Sequence, residues 1–312
     1  MPRVDPRYYS EDMWILIAFL NPILHAFSNV LDNYLTNRLF SRKTTIIFYA
    51  ALLNLAFLPF LFIFTGLPGL PTSASIWLFM GLAVINVIYQ YPYYKALEQN
   101  DTSNVIALFS LGQLFVPVLA YFVVGEVLST LQYVGVAIIL LASVGLSAER
   151  LTRFRMNASL WWMLLCTSIL SFEYVLYKLL FAHVDWITGF TWPVVFSFAI
   201  AFLLLLLPAT RADIVRKWGT FKTKLHVFAM EELTTFLGIA AGTYAVSVAP
   251  VTVVKAIMAT EPAFVLLYAM LFGRTFPRVF KEETDRITVF RKLLLFAVIG
   301  IGLILALEPE WF

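Results

Sequence analysis

The sequence predicts an all-α integral membrane fold, with ten transmembrane helices in two inverted five-helix repeats. Three observations lead there. Of the 312 residues, 61% are hydrophobic and 13% charged, and mean hydropathy is +0.84. A soluble chain is nearer to roughly half apolar and a quarter charged. The apolar residues fall in ten runs, each close to the roughly 20 residues a helix needs to cross a ~30 Å hydrocarbon core. The last five runs also echo the first five. Runs this long and uniformly apolar are not barrel strands, and a helix satisfies every backbone group within its own segment.

The elements follow in order. The N-terminal tail, 1–12 (MPRVDPRYYSED), lacks the apolar core and small-residue cleavage site of a signal peptide, so the run at 13–37 reads as a true span. Spans at 44–66 and 75–97 come next, set apart by SRK and by the Gly- and Pro-rich TGLPGLPTSA. After EQND comes 102–124, and after GEVLST comes 131–148. A linker at 150–157 joins a first repeat, 13–149, to a second, 158–308. The second repeat holds spans at 158–181, 187–208, 225–248, 251–273 and 290–308, before a C-terminal tail at 309–312. Two longer polar loops are expected, around 209–224 and 274–292. The single cysteine, Cys166, rules out a disulfide within the chain.

The repeat rests on alignment. LFSLGQLFVPVLAYFVVGE (108–126) lines up with AIMATEPAFVLLYAMLFGR (256–274), setting Gln113 against Glu261 and Gly125 against Gly273. YYKALEQND matches TYAVSVAPV with a one-residue slip, and the ends of the two first spans set Asn33 against Lys178. Five spans per half is an odd number, so the second copy is inverted, an arrangement that favours alternating access about a midplane site. Lys and Arg crowd one side, at Arg38–Lys43, Arg150–Arg155, Arg211–Lys224 and Arg274–Lys292, while the loops after even-numbered spans have none. The positive-inside rule places the basic loops in the cytoplasm and both termini outside.

The five-plus-five layout, YYKALEQND, the Gly125–Glu126 pair and ATEPAFVLLYAMLFG in the ninth span together resemble the drug/metabolite transporter superfamily, in particular its EamA group. The resemblance covers nearly the whole chain. It implies a ten-helix carrier of small metabolites, with a central cavity lined mainly by spans 1, 3, 4, 6, 8 and 9. It also implies cytoplasmic termini, against the charge reading, so orientation stays open. The second half has Gly273–Arg274 where the first has Gly125–Glu126, and Lys178 where the first has Asn33, so the cavity need not be symmetric in charge.

Polar residues inside the spans concentrate on the same helices. The candidate substrate-binding residues are Asn29, Asp32 and Asn33 in span 1, and Asn86, Gln90 and Tyr94 in span 3. Gln113, beside Ser110, represents span 4; Glu173, Tyr177 and Lys178 represent span 6; Lys255 and Glu261 represent span 9. Spans 2, 5, 7 and 10 are plainer. An ionisable residue near mid-membrane costs roughly 2.5–3.5 kcal/mol on insertion scales, which points to function. In a continuous helix Lys255 and Glu261 stand roughly 9 Å and 120° apart, so each must face another helix, a cavity or a substrate. Sharing a cavity, they suit a zwitterion or an anion, and Glu261 is the candidate for proton coupling. Pro117 and Pro262 are expected to kink their helices.

Blander readings stand beside these. Lys255, Lys178 and Asp32 lie near the ends of their runs, where side chains can reach the interface. Of Glu231 and Glu232, near the start of span 8, one is expected to face headgroups. The span 3 tyrosines suit either an interfacial belt or a cavity wall. Gly238 and Gly242 read as sites of close helix packing.

Enzyme motifs are incomplete. NVLDNYL is half of the Asp-rich pair a membrane prenyltransferase needs, and GLSAE lacks the second Gly of an intramembrane serine protease. There is no phosphate loop, dinucleotide fingerprint or metal spacing, so no cofactor is expected and any driving force is a gradient. The expectation is a non-enzymatic secondary transporter, exporting a small polar or amphipathic metabolite such as an amino acid by alternating access, with proton coupling. One alternative is an exchanger of phosphorylated metabolites. Plastid phosphate translocators, distant members of the superfamily, use a Lys-Arg pair in the ninth span, where this chain has Lys255–Ala256. The other alternative is a membrane receptor or scaffold without flux. Expected partners are the metabolite and the lipid bilayer, with no nucleic acid, for a monomer that is multi-pass in the cell membrane, read as a bacterial inner membrane.

Overall fold

Helix formation follows the apolar runs closely. The computed structural model describes residues 13–40, 42–99, 105, 108–109, 112–152, 158–272 and 286–307, and no strand occurs among them. The first half holds α1 (Met13–Tyr34), α2 (Lys43–Thr65), α3 (Ile76–Ile88), α4 (Gln90–Gln99), α5 (Val116–Val124) and α6 (Thr130–Thr152). A π-helical turn at Leu35–Leu39 extends α1. The second half holds α7 (Ala158–Phe181), α8 (Trp186–Leu203), α9 (Pro208–Thr223), α10 (Leu225–Val248), α11 (Val251–Met258), α12 (Glu261–Phe272) and α13 (Arg286–Leu307).

Each of the expected span ranges contains helix. Among the described residues, four stretches are long and apolar enough by themselves to cross a bilayer: Lys43–Thr65, Ile76–Glu98, Trp161–Phe181 and Trp186–Leu206. The rest are interrupted or carry polar groups, and those interruptions, with the one between α3 and α4 inside Ile76–Glu98, shape the site below. Phe64, Trp77 and Phe122 are 87%, 79% and 77% exposed, an outward apolar surface suited to lipid rather than water.

Prolines set the breaks. A helical proline removes the hydrogen bond to the carbonyl four residues earlier and its ring clashes there. Pro92, Pro117 and Pro262 therefore disturb Ile88, Gln113 and Met258. Those are the positions where α3 ends, where a 3-10 turn (Gln113–Phe115) precedes α5, and where α11 ends. The expected kinks at Pro117 and Pro262 are thus full interruptions. Pro22, Pro59 and Pro193, by contrast, stay inside continuous helices.

Several boundaries differ from expectation. The stretch at 209–224 is not a loop but the helix α9, with Pro208 at its first turn, where the missing N–H has no partner to lose. It packs across one end of the bundle: the Tyr49 and Phe221 rings stack at 4.1 Å, and the Tyr49 hydroxyl donates to the Ile214 carbonyl at 2.7 Å. The Thr45 hydroxyl donates to Asp213 at 2.7 Å, and Lys217 donates to the Leu39 carbonyl at 2.9 Å. Helix α6 continues into the expected linker as far as Thr152, and α13 begins at Arg286, ahead of the expected 290. Residues 153–157 of the linker, most of the loop at 274–292, and both tails lie outside the described residues.

Helix α1 packs along α10 and reaches α11 and α12; α7 packs on α3, α4 and α5; α8 packs on α2 and α3; α6 packs on α13. Gly242 permits the first of these contacts. A Cβ there would lie 2.4 Å from Met258 Cε and 2.8 Å from Asn21 Nδ2. A second glycine acts through its backbone: Gly125, at φ +70°, ends α5 in the left-handed region and turns Glu126 toward α11. The Glu126 carboxylate accepts from the Val251 and Thr252 amides at 2.7 and 2.9 Å, so a first-half side chain caps a second-half helix.

Candidate functional site

The interrupted helices meet around a central cavity of about 170 Å³. An engineered apolar cavity of about 150 Å³ holds a benzene molecule, so this space suits a ligand with one ring or a short chain. Helix α1 contributes Asn29 and Asp32, and the α3–α4 break contributes Asn86, Gln90 and Tyr94. Gln113 comes from the 3-10 turn, Glu173 and Tyr177 from α7, and Lys255 and Glu261 from the α11–α12 break. Every expected site residue except Asn33 and Lys178 therefore faces one space. The side chain of Asn33, like residue Ser110, lies outside the described residues.

Lys178 does other work. Its Nζ donates to the carbonyls of Val246 and Ala249 at 3.0 and 2.8 Å, capping the C-terminal end of α10. It is neither a snorkelling residue nor a cavity group. Asp32 and Lys255, each 5% exposed, do not reach the interface either.

The break in the ninth span changes the geometry expected for Lys255 and Glu261. They sit at two helix ends rather than on one continuous helix. Lys255 lies in the last turn of α11 and Glu261 in the first turn of α12, each at the end whose dipole favours its charge. Lys255 Nζ stands 3.8 Å from the centroid of the Tyr174 ring, and the charges that act on it are Glu173 and Glu261.

A hydrogen-bonded chain links Glu261 to Asp32. The Asn29 amide donates to Glu261 Oε1 at 2.5 Å, which turns the amide oxygen toward Tyr93. The Tyr93 hydroxyl lies 2.6 Å from Asn29 Oδ1 and 2.8 Å from Asp32 Oδ2. A phenol has one proton to give. Both bonds are made together only when Asp32 carries a proton of its own.

Sequence reasoning underrated other residues here. Glu231 and Glu232, of which one was expected at the headgroups, are 2% and 3% exposed and both line the cavity. Asn54, in the supposedly plain second span, donates to Glu232 Oε2 at 2.9 Å. Of the span 3 tyrosines, Tyr93 and Tyr94 are buried in the cavity wall and Tyr91 is exposed. Gln90 Oε1 and Gln113 Oε1 are buried without hydrogen-bond partners.

Residues 12–148 match the EamA-like transporter family. The match spans the first half of the chain, and that family lies within the drug/metabolite transporter superfamily. Together with the apolar helices, the match indicates a multi-pass integral membrane protein. A solved crystal structure of a protein is similar to this chain at 18% identity and a TM-score of 0.65. The likeness covers 95% of this chain and 96% of the other, and speaks for the fold alone. No curated protein matches.

Proposed function

We propose that this chain is a secondary transporter that carries a small polar or amphipathic metabolite, of amino-acid type, by alternating access. The observation that carries the reading is the cavity itself, where ionisable residues from both halves converge on interrupted helices, the arrangement used by carriers with a midplane site. The packing supports two related halves. Exchanging each helix for its counterpart turns the α1–α10 contact into α7–α4, α1–α12 into α7–α5, and α8–α3 into α2–α10, and all of these contacts exist. The pairs α2–α8 and α6–α13 exchange with themselves. Ten spans in two inverted repeats is the topology we assign on this basis, with both halves in one chain and so a monomer sufficient for transport.

Proton coupling is assigned to the Glu261–Asn29–Tyr93–Asp32 chain, because its bonding pattern depends on how many protons the two carboxyl groups hold. Export is the direction we assign. Exchange of phosphorylated metabolites fits less well: one ammonium, already placed over an aromatic ring, faces Glu173, Glu261, Asp32, Glu231 and Glu232 in the same space. Lys178, the possible second cation, caps α10 instead.

Counterflow in liposomes tests the proposal. Vesicles holding the full chain and preloaded with unlabelled amino acids should take up labelled ones at least tenfold faster than protein-free vesicles. Glu261→Gln and Lys255→Met should each abolish this while expressing and folding normally. Absence of wild-type uptake for every amino acid, or full uptake in both variants, would overturn the proposal.

A further inference from the structure

We propose that Asp32, Glu231 and Glu232 form a subsite for an organic cation, the ammonium or guanidinium group of the transported molecule. This rests on the transporter reading above and specifies the charged group its substrate bears. The three side chains come from α1 and α10, line one cavity, and are each at least nine-tenths buried. Glu231 and Glu232 lie within hydrogen-bonding reach of each other, and both feel the charge of Asp32.

Their hydrogen bonds are incomplete. Asp32 Oδ2 meets the Tyr93 hydroxyl, and Tyr94 faces the same carboxyl group, yet Oδ1 has no partner. Glu231 Oε1 accepts from the Thr235 hydroxyl at 3.1 Å, while Oε2 has no donor unless the Glu231–Glu232 pair shares a proton. A buried carboxylate oxygen without a donor is costly, so the empty positions call for donors. Two such acceptors on different helices, opening on one space, match the several N–H groups of an ammonium or a guanidinium.

The charge is also unbalanced. Lys255 answers Glu173 and Glu261, and no described Lys or Arg pairs with the three carboxylates. Tyr89, Tyr94 and Phe236 line the same cavity, and aromatic rings attract a cation. Among the described residues no group of three acidic, His or Cys side chains is arranged for a metal ion. The open volume likewise favours an organic cation over a bare one.

The test uses the purified full chain in detergent, with phenethylamine and agmatine as cationic probes. 2-Phenylethanol and 3-phenylpropionate serve as neutral and anionic analogues. The amines should raise the melting temperature and the analogues should not, and Asp32→Asn or Glu231→Gln should weaken amine binding at least tenfold. Should those variants fail to fold, wild-type protein decides: phenethylamine should slow carbodiimide labelling of Asp32 and Glu231, read by mass spectrometry. Equal stabilisation by the neutral analogue, unchanged affinity in folded variants, or undiminished labelling would each overturn the subsite. Sodium chloride reproducing the shift, with amines adding nothing, would overturn it in favour of an inorganic cation. Amine binding without flux in the counterflow assay leaves the subsite standing and removes the transporter reading. Flux of amino acids without amine binding does the reverse.

Discussion

Lys178 and Tyr93 show how one side chain can hold a junction or register a proton. Lys178 places an ammonium against two carbonyls at the end of α10, where the helix dipole also favours a cation. Hydrogen bonds to charged groups are worth roughly 1.5–3 kcal/mol, so Lys178→Met should destabilise the protein by about 2 kcal/mol. It should do so without weakening amine binding, and thermal unfolding with and without phenethylamine checks both. Tyr93, in contrast, sits where the number of bonds it makes depends on the protonation of Asp32. Such roles were partly legible in the sequence. Lys255 and Glu261 were conspicuous because charged residues are costly inside apolar runs. The role of Lys178 was not, because nothing near it in the chain reveals that another helix ends beside it. Glu231 and Glu232 were misplaced for a related reason: distance from the end of a run does not say which way a side chain points, nor that α9 covers that end of the bundle.

At the scale of elements, proline position accounts for the shape of the site. The three interrupted spans each present their polar residues at the break, with Gln90, Gln113 and Glu261 all within four residues of a disturbed carbonyl. Pro117 and Pro262 could be read from the sequence as kinks. The severity of the breaks could not, since Pro22, Pro59 and Pro193 have the same local chemistry and leave their helices continuous. Helix α9 escaped notice because its polar residues resemble those of a loop; its buried residues Ile214 and Phe221 are too few to give a clear apolar face. Its anchor is testable by pH. Burial works to raise the pKa of Asp213, but the hydrogen bonds from Thr45 and Arg216 outweigh it and hold the carboxyl below its ordinary value. A depressed carboxyl contributes stability above its unfolded pKa of about 3.9, and that contribution is lost as pH falls through the lower folded value. Thermal stability should therefore drop on acidification below about pH 4, and Asp213→Asn should flatten this part of the profile while lowering stability at neutral pH.

At the scale of the molecule, the run pattern anticipated the all-helical architecture, and α7 and α10 begin and end at the expected residues because those apolar runs stop sharply. The proposed relation between the halves was fainter, since the two share few identities and its support lies in which helices touch. Topology can be probed in a Cys166→Ala background. Gly219 in α9 has open space around it, and Val127 is 73% exposed. In the proposed topology three spans separate them, so Gly219→Cys and Val127→Cys should react with an impermeant maleimide from opposite faces. The positive-inside rule assigns Gly219 to the cytoplasmic face; labelling of both from one face would break the topology. The Glu126 cap bears on the history of such a chain. Once the start of α11 relies on a carboxylate from the first half, neither half can drift or be replaced without regard to the other. Two halves joined by this contact gain from being translated as one polypeptide, since the cap is then always present where α11 begins.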